Sequence, residues 1–110
     1  MALEKTIETA IRKMIKTEFD AISFKIHGGP FMAAGLPDIV AVIPEHHTVF
    51  GSDPKSHHYP ACIWWLEVKV PGGKLTKIQD FMIQNLKAHG ANVAVVHSVE
   101  EARAALLGLT

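Results

Sequence analysis

The most informative stretch of the chain is IWWLEVKV, from Ile63 to Val70. Its β-branched and aromatic residues predict a strand. Glu67 and Lys69 interrupt this otherwise apolar run, and because they are two residues apart, both side chains project from one face. An acid beside an ammonium group indicates either a solvent-facing pair on an edge strand or a functional site.

A second strand is predicted from Ile39 to Ile43, where β-branched residues and alanine are typical of a strand buried on both faces. Asp38 comes directly before it and, taken alone, is a turn aspartate. If the two strands form a hairpin, Asp38 and Glu67 can pair across the sheet and share a cation. Carboxylate oxygens suit Mg²⁺ or Mn²⁺, and Lys69 beside that cation favours an anionic substrate such as a phosphodiester.

The other elements follow from periodicity and capping. Apolar residues at helical spacing from Leu3 to Ile15 predict a first helix, and alternation from Ala21 to His27 predicts a half-buried strand. Thr76 and Ser98 each stand three residues before Gln or Glu, the spacing of a capping box, with a buried strand expected from Asn92 to His97. The expected order is α-β-β-β-α-β-α, with the strands on either side of the second helix parallel.

Composition limits the classes of protein. The 110 residues, 48% of them hydrophobic, fit one domain over 1–110. No apolar run approaches the roughly 20 residues of a membrane helix, and the lone Cys62 agrees with a reducing compartment, so a cytoplasmic protein with no membrane association is expected. The formal net charge of zero excludes binding of DNA by bulk electrostatics alone.

Two acidic residues on the first helix are candidates for a third carboxylate. At about 100° per residue, Glu4 lies about 60° from the centre of the apolar stripe and Glu8 about 100° from it. Glu4 is therefore expected to point further inward. Both residues also fit a simpler role near the helix N-terminus, where acids complement the helix dipole.

A histidine-rich loop is expected at about 44–61. It supplies zinc-ligand residue types whose spacing matches no standard site, so a hairpin loop that touches DNA or a second subunit is the preferred interpretation. The residues concerned are His46, His47, His57, His58 and Cys62.

The string from Gly35 to Asp38 (GLPD), the tetrad from Leu66 to Lys69 (LEVK) and the following Gly73, Leu75 and Gln79 resemble the VRR-NUC family of the PD-(D/E)XK nuclease superfamily. The resemblance covers nearly the whole chain. It implies an α/β, restriction-endonuclease-like core with a mixed sheet flanked by helices.

The resemblance also implies a metal site. Asp38, Glu67 and the main-chain carbonyl of Val68 would bind Mg²⁺ or Mn²⁺, and Lys69 would position or activate the attacking water. Glu4 matches the family's acidic residue on the first helix and would reach the metal directly or through water.

Further residues are expected around that site. Gln79 matches a family position that faces the site, and it is also the predicted capping partner of Thr76. Lys25, Lys74 and Lys77 are candidate phosphate contacts, with exposed surface lysine as the simpler interpretation.

The expected function is a metal-dependent DNA endonuclease, selective for branched DNA such as four-way junctions or flaps, and a homodimer. The short form suggests a phage or bacterial repair role. Two alternatives stay open: a catalytically silent nucleic-acid-binding or assembly module, and a ribonuclease that uses the same site.

Overall fold

The computed structural model describes residues 3–28, 32–49 and 56–108, with only the backbone described at 46–49 and 56–59. Within these ranges, three helices and six strands follow one another. They are α1 (Glu4–Phe19), β1 (Ile22–Lys25), β2 (Ile39–Ile43), β3 (His46–Val49), β4 (Ser56–Tyr59), β5 (Cys62–Val68), α2 (Lys77–Ala88), β6 (Asn92–Val96) and α3 (Val99–Leu106).

The central sheet has the order β1-β2-β5-β6. β2 is antiparallel to both β1 and β5, whereas β5 and β6 are parallel. The predicted hairpin between β2 and β5 and the predicted parallel crossover are thus confirmed. The core order α-β-β-β-α-β-α and the mixed sheet with flanking helices are confirmed as well.

The region expected to be a histidine-rich loop contains structure of its own. β3 and β4 form a separate two-stranded antiparallel sheet, in which His47 stands opposite His58. The expected hairpin loop thus contains two short strands, which the sequence analysis did not predict because these polar residues lack the alternation by which a strand is recognised. The side chains of the four histidines, and with them the zinc hypothesis, lie outside the described residues.

One face of the sheet carries the main core. α1 packs there against β1, β2 and β5, and α3 packs against α1 and β6. The buried side chains of this core include Ile11, Ile15, Ile39, Ala41, Leu66, Val68 and Leu106. At the other face α2 packs against β6, where Ile83 and Val93 are buried outside the main cluster.

β1 is half-buried as predicted, although its exposed residues are the apolar ones, whereas β2 and β6 were predicted to be buried strands and are only partly buried. Val42 is exposed, so β2 is not buried on both faces, and β6 is likewise only partly buried. In β1, Ile22 and Phe24 are exposed and the polar Ser23 faces α1, where Arg12 donates hydrogen bonds to it. Among the described elements, α2 packs mainly against β6, away from the exposed Ile22, Phe24 and Val42.

The helix termini follow the predicted capping signals with one difference. Thr76 and Gln79 form the complete capping box of α2, and Gly90 takes a left-handed conformation after its end. At α3, Ser98 accepts a hydrogen bond from the amide of Glu101 as expected, but the Glu101 carboxylate turns to His97. No helix in the described ranges is long and apolar enough to cross a bilayer.

Candidate active site

Asp38 is held between two elements at the start of β2. Its Oδ2 accepts a hydrogen bond of 2.8 Å from the main-chain amide of Val68 on β5. The preceding loop lies against α2, because a Cβ on Gly35 would come within 2.5 Å of the Ile78 carbonyl oxygen. Gly35 has φ +80, which glycine adopts without strain. The loop and the helix together fix where Asp38 stands.

Glu67 and Lys69 lie beside Asp38 on the face of the sheet opposite the main core. The Glu67 side chain is 1% exposed and its Oε1 is 3.9 Å from Lys69 Nζ. The register that pairs Ile39 with Leu66 brings Asp38 next to Glu67. The structure therefore groups the three residues that were expected to form the centre of the site.

The Glu67 carboxyl is in an unfavourable place for a negative charge. Burial, followed by the charge of Asp38 and a hydrogen bond with it, raises the pKa of Glu67 to about 8, with Glu4 adding to the rise and Lys69 opposing it. Glu67 Oε2 is buried and has no hydrogen-bond partner among the described residues. Near neutral pH this carboxyl keeps its proton unless a cation approaches.

The relative burial of Glu4 and Glu8 on α1 is the reverse of what the helical projection predicted. Glu8 is the more buried, at 8% exposure, and Glu4 is only partly buried. The expectation that Glu4 points further inward was wrong, because Lys25 on β1 lies below the helix and gives Glu8 a partner that a projection of the helix alone does not contain. Glu4 is nevertheless close enough to Glu67 to raise its pKa.

The three lysines expected to contact phosphate lie in different settings. Lys25 donates a hydrogen bond of 2.6 Å to Glu8 Oε1, and its ammonium is 3.6 Å from Asp38 Oδ1. Burial acts to lower the pKa of Lys25, but Glu8 and Asp38 outweigh it and the net shift is upward. Lys74 and Lys77 are exposed around the start of α2.

Gln79 is in the first turn of α2, which the Gly35 loop touches. Its Oε1 accepts a hydrogen bond of 2.9 Å from the main-chain amide of Thr76, and the main-chain amide of Gln79 donates to Thr76 Oγ1. The capping role of Gln79 is thus confirmed, and its catalytic role stays a prediction.

A cleft of about 440 Å³ runs between α1 and β1 beside the site. Its lining carries both signs of charge and includes the residues of both elements that approach Asp38 and Glu67. They are Glu4, Lys5, Glu8, Thr9, Arg12, Lys25 and His27.

The donor set fits a hard divalent cation bound in an open site. Asp38 and Glu67 are adjacent in the register of β2 and β5, and Glu67 Oε2 is a buried oxygen with no hydrogen-bond partner in the part of the chain that the structure describes. Within the described ranges no group of three or more acidic, histidine or cysteine side chains is arranged to enclose a metal ion. Main-chain, water or substrate oxygens would therefore complete the shell, which is common for Mg²⁺.

Known proteins share the sequence pattern and the fold of this chain. The model of the VRR-NUC domain family matches residues 2–100. The chain belongs to the VRR-NUC domain family. A solved structure described as a VRR-NUC domain has the same fold, with a TM-score of 0.59 and 23% identity over 93% of this chain and 92% of that one. Comparison with curated proteins gives no match.

Membership of the VRR-NUC family assigns the chain to a nuclease-type domain family and confirms the family resemblance found in the sequence. The sequence analysis missed the pair of Glu8 and Lys25. Two features of the sequence could have predicted this pair. Glu8 is four residues after Glu4 and so lies on the same side of α1, and Lys25 is a basic residue on the polar side of β1.

Proposed function

We propose that this VRR-NUC domain is a divalent-metal-dependent endonuclease that hydrolyses DNA phosphodiesters. The observation that carries the proposal is the burial of the Glu67 carboxyl next to Asp38, whose Oδ2 accepts a hydrogen bond from the Val68 amide, with Lys69 beside them. Two neighbouring acids in a buried place oppose folding when both are ionised, unless a cation binds there. Such an arrangement is typical of a functional site.

The charges around the site support a divalent ion. Four carboxyl groups, those of Glu4, Glu8, Asp38 and Glu67, accompany two ammonium groups, those of Lys25 and Lys69. With every group ionised, the cluster lacks two positive charges. Mg²⁺ or Mn²⁺ would supply them and prefers oxygen ligands.

The chain's own residues would divide the work. Asp38, Glu67 and the Val68 carbonyl would hold the ion, and Glu4 would reach it directly or through water. When bound, the ion would polarise the scissile phosphoryl group and favour deprotonation of the attacking water. Lys69, held at the same face as Glu67, would orient that water and offset the negative charge that develops on the phosphate.

The proposed substrate is branched DNA, such as a four-way junction or a flap. Lys74 and Lys77 are exposed close to Gly73 and the start of α2, where they would contact phosphates. Gln79 would face the site from the same turn. The zero net charge favours a few local phosphate contacts over a broad basic surface.

A homodimer would let one protein reach two DNA strands, and the open sheet face supports it. Ile22, Phe24, Val42 and Ile63 are 39–60% exposed on neighbouring strands, with Ile22 opposite Val42 and Val42 opposite Ile63. Together these four side chains form an apolar patch of the kind that marks a protein–protein contact. A second copy with zero net charge would not be repelled.

Two other functions would use the same geometry. A ribonuclease would need no change in the acids or in Lys69, because these groups act on the phosphate. A silent binding or assembly module would retain the fold, but it gives no reason to bury Glu67 with an oxygen that lacks a partner.

The test is cleavage of labelled duplex, single-stranded, flap and four-way-junction DNA, and of matched RNA, with Mg²⁺, Mn²⁺ or EDTA. Asp38→Asn and Lys69→Met keep the side-chain size and should each reduce metal-dependent cutting by about 100-fold or more. Lys87→Met, on the last turn of α2, is the matched control and should cut as the parent does. Folded protein that cuts no DNA with either metal would contradict the proposal, and cutting confined to RNA would select the ribonuclease.

A further inference from the structure

Glu8 is a buried acid to which the proposed reaction assigns no role. Its carboxylate is almost buried under α1 and accepts a hydrogen bond of 2.6 Å from Lys25 Nζ. A buried carboxylate is strongly unfavourable without a counter-ion, so the two residues stabilise each other. The pair fixes the ammonium group of Lys25 at one point between α1 and β1.

From that point Lys25 reaches the candidate metal ligand. Its Nζ lies 3.6 Å from Asp38 Oδ1, while Asp38 Oδ2 accepts the 2.8 Å hydrogen bond from the Val68 amide. Each oxygen of Asp38 is thus restrained from a different side, by the ammonium of Lys25 and by the backbone of β5. A carboxylate held at both oxygens keeps one orientation.

We propose that Lys25 is a positioning residue for Asp38, oriented in turn by the buried Glu8. The inference rests on the proposed function, in which Asp38 binds the metal. Lys25 also offsets the repulsion between Asp38 and Glu67, because its positive charge lies next to Asp38 on the side of α1. Because its ammonium group already pairs with the carboxylates of Glu8 and Asp38, Lys25 acts on Asp38 and does not contact phosphate.

Three variants separate this role from others. Lys25→Met removes the positive charge and keeps most of the side-chain volume, whereas Lys25→Arg retains a cation. Glu8→Gln removes the negative charge that orients Lys25. The matched control is Arg12→Met, since Arg12 also joins α1 to β1, through hydrogen bonds to Ser23 of 3.0 and 3.1 Å. Among the described residues, the hydrogen bond and the ion pair of Asp38 involve Val68 and Lys25.

The first measurement needs no metal. Hydrogen exchange of the Val68 amide, followed by NMR, reports on the bond to Asp38. We expect faster exchange in Lys25→Met and Glu8→Gln, a value nearer the parent in Lys25→Arg, and no change in Arg12→Met. Parent-like exchange at Val68 in a folded Lys25→Met protein would overturn the proposal whether or not the chain is a nuclease.

The second measurement is Mn²⁺ affinity by calorimetry, with Asp38→Asn as the reference for loss of the site. Loss of a residue that orients a ligand weakens metal binding by about 10-fold to 100-fold, and we expect Lys25→Met in that range. Parent protein that binds no Mn²⁺ would contradict the proposed function, while Val68 exchange would still decide the positioning role. The inference would be overturned if Lys25→Met left the Mn²⁺ affinity unchanged and reduced the slope of log DNA affinity against log salt concentration by about one. That result would show that Lys25 contacts a phosphate.

Discussion

The Val68 amide and the Asp38 carboxylate are joined by a 2.8 Å hydrogen bond that links the start of β2 to the end of β5. Val68 lies between Glu67 and Lys69, so this one bond sets Asp38 relative to both. The side chain of Val68 points into the main core and is buried there. The site thus takes its geometry from a backbone that the core holds in place.

The first prediction concerns stability and pH in the absence of metal. The pKa of Glu67 is raised from 4.5 to about 8, so the folded protein binds a proton that the unfolded chain releases in this range. The free energy of unfolding should therefore fall as pH rises through this window, by up to about 1 kcal/mol per pH unit, and level off above it. Urea titrations at a series of pH values in EDTA measure it.

Glu67→Gln is the matched variant for this prediction, because it cannot titrate and keeps the shape of the side chain. The difference in unfolding free energy between parent and variant should grow with pH. Added Mg²⁺ or Mn²⁺ should abolish the fall in the parent's unfolding free energy with pH. Glu18 and Glu101 have lowered pKa values and act in the opposite sense at lower pH. A parent and variant with the same pH dependence would contradict the raised pKa.

The second prediction compares two glycines with the same backbone conformation. Gly35 has φ +80 and Gly72 has φ +82, but only at Gly35 would a Cβ meet other atoms, 2.5 Å from the Ile78 carbonyl oxygen. Gly72→Ala should cost about 1 kcal/mol of unfolding free energy from backbone strain. Gly35→Ala should cost about 3 kcal/mol, because the loop must also move away from α2.

Chemical denaturation of both alanine variants gives the two values. Gly35→Ala should also weaken Mn²⁺ binding, since the displaced loop carries Asp38, whereas Gly72→Ala should bind Mn²⁺ as the parent does. Equal destabilisation by the two substitutions would show that the contact between the Gly35 loop and α2 contributes nothing.

Features set by local patterns were predictable. The two-residue spacing of Glu67 and Lys69 placed them on one face, and the hairpin of β2 and β5 brought Asp38 to Glu67. The capping box of Thr76 and Gln79 needs only residues three apart. In each case the deciding interactions lie within one element or between strands whose pairing the sequence constrains.

Features set by the packing partner were not predictable. The alternation in β1 gives two faces, but only the presence of Arg12 and Glu8 on α1 decides that Ser23 and Lys25 turn toward the helix. The same limit applies to Val42, whose exposure depends on where α2 lies.

The third prediction separates the capping role of Gln79 from its proposed role in the site. Thr76→Ala and Gln79→Ala should each cost about 1 kcal/mol of unfolding free energy, because each removes part of the capping box. Only Gln79→Ala should then lower kcat for DNA cleavage, since Thr76→Ala leaves the Gln79 side chain in place. Equal kcat in the two variants, measured well below their melting temperatures, would limit Gln79 to the cap.

The fourth prediction concerns the open apolar face of the sheet. Phe24 is 53% exposed among Ile22, Val42 and Ile63, so Phe24→Ser should weaken the proposed homodimer, raising its dissociation constant by about tenfold or more. Phe81→Ser is the matched control, because Phe81 is 68% exposed on α2 and is not one of the residues of this patch. Sedimentation velocity over a concentration series measures both. A parent that stays monomeric, or a dimer disrupted by Phe81→Ser and not by Phe24→Ser, would exclude this face as the contact between two copies.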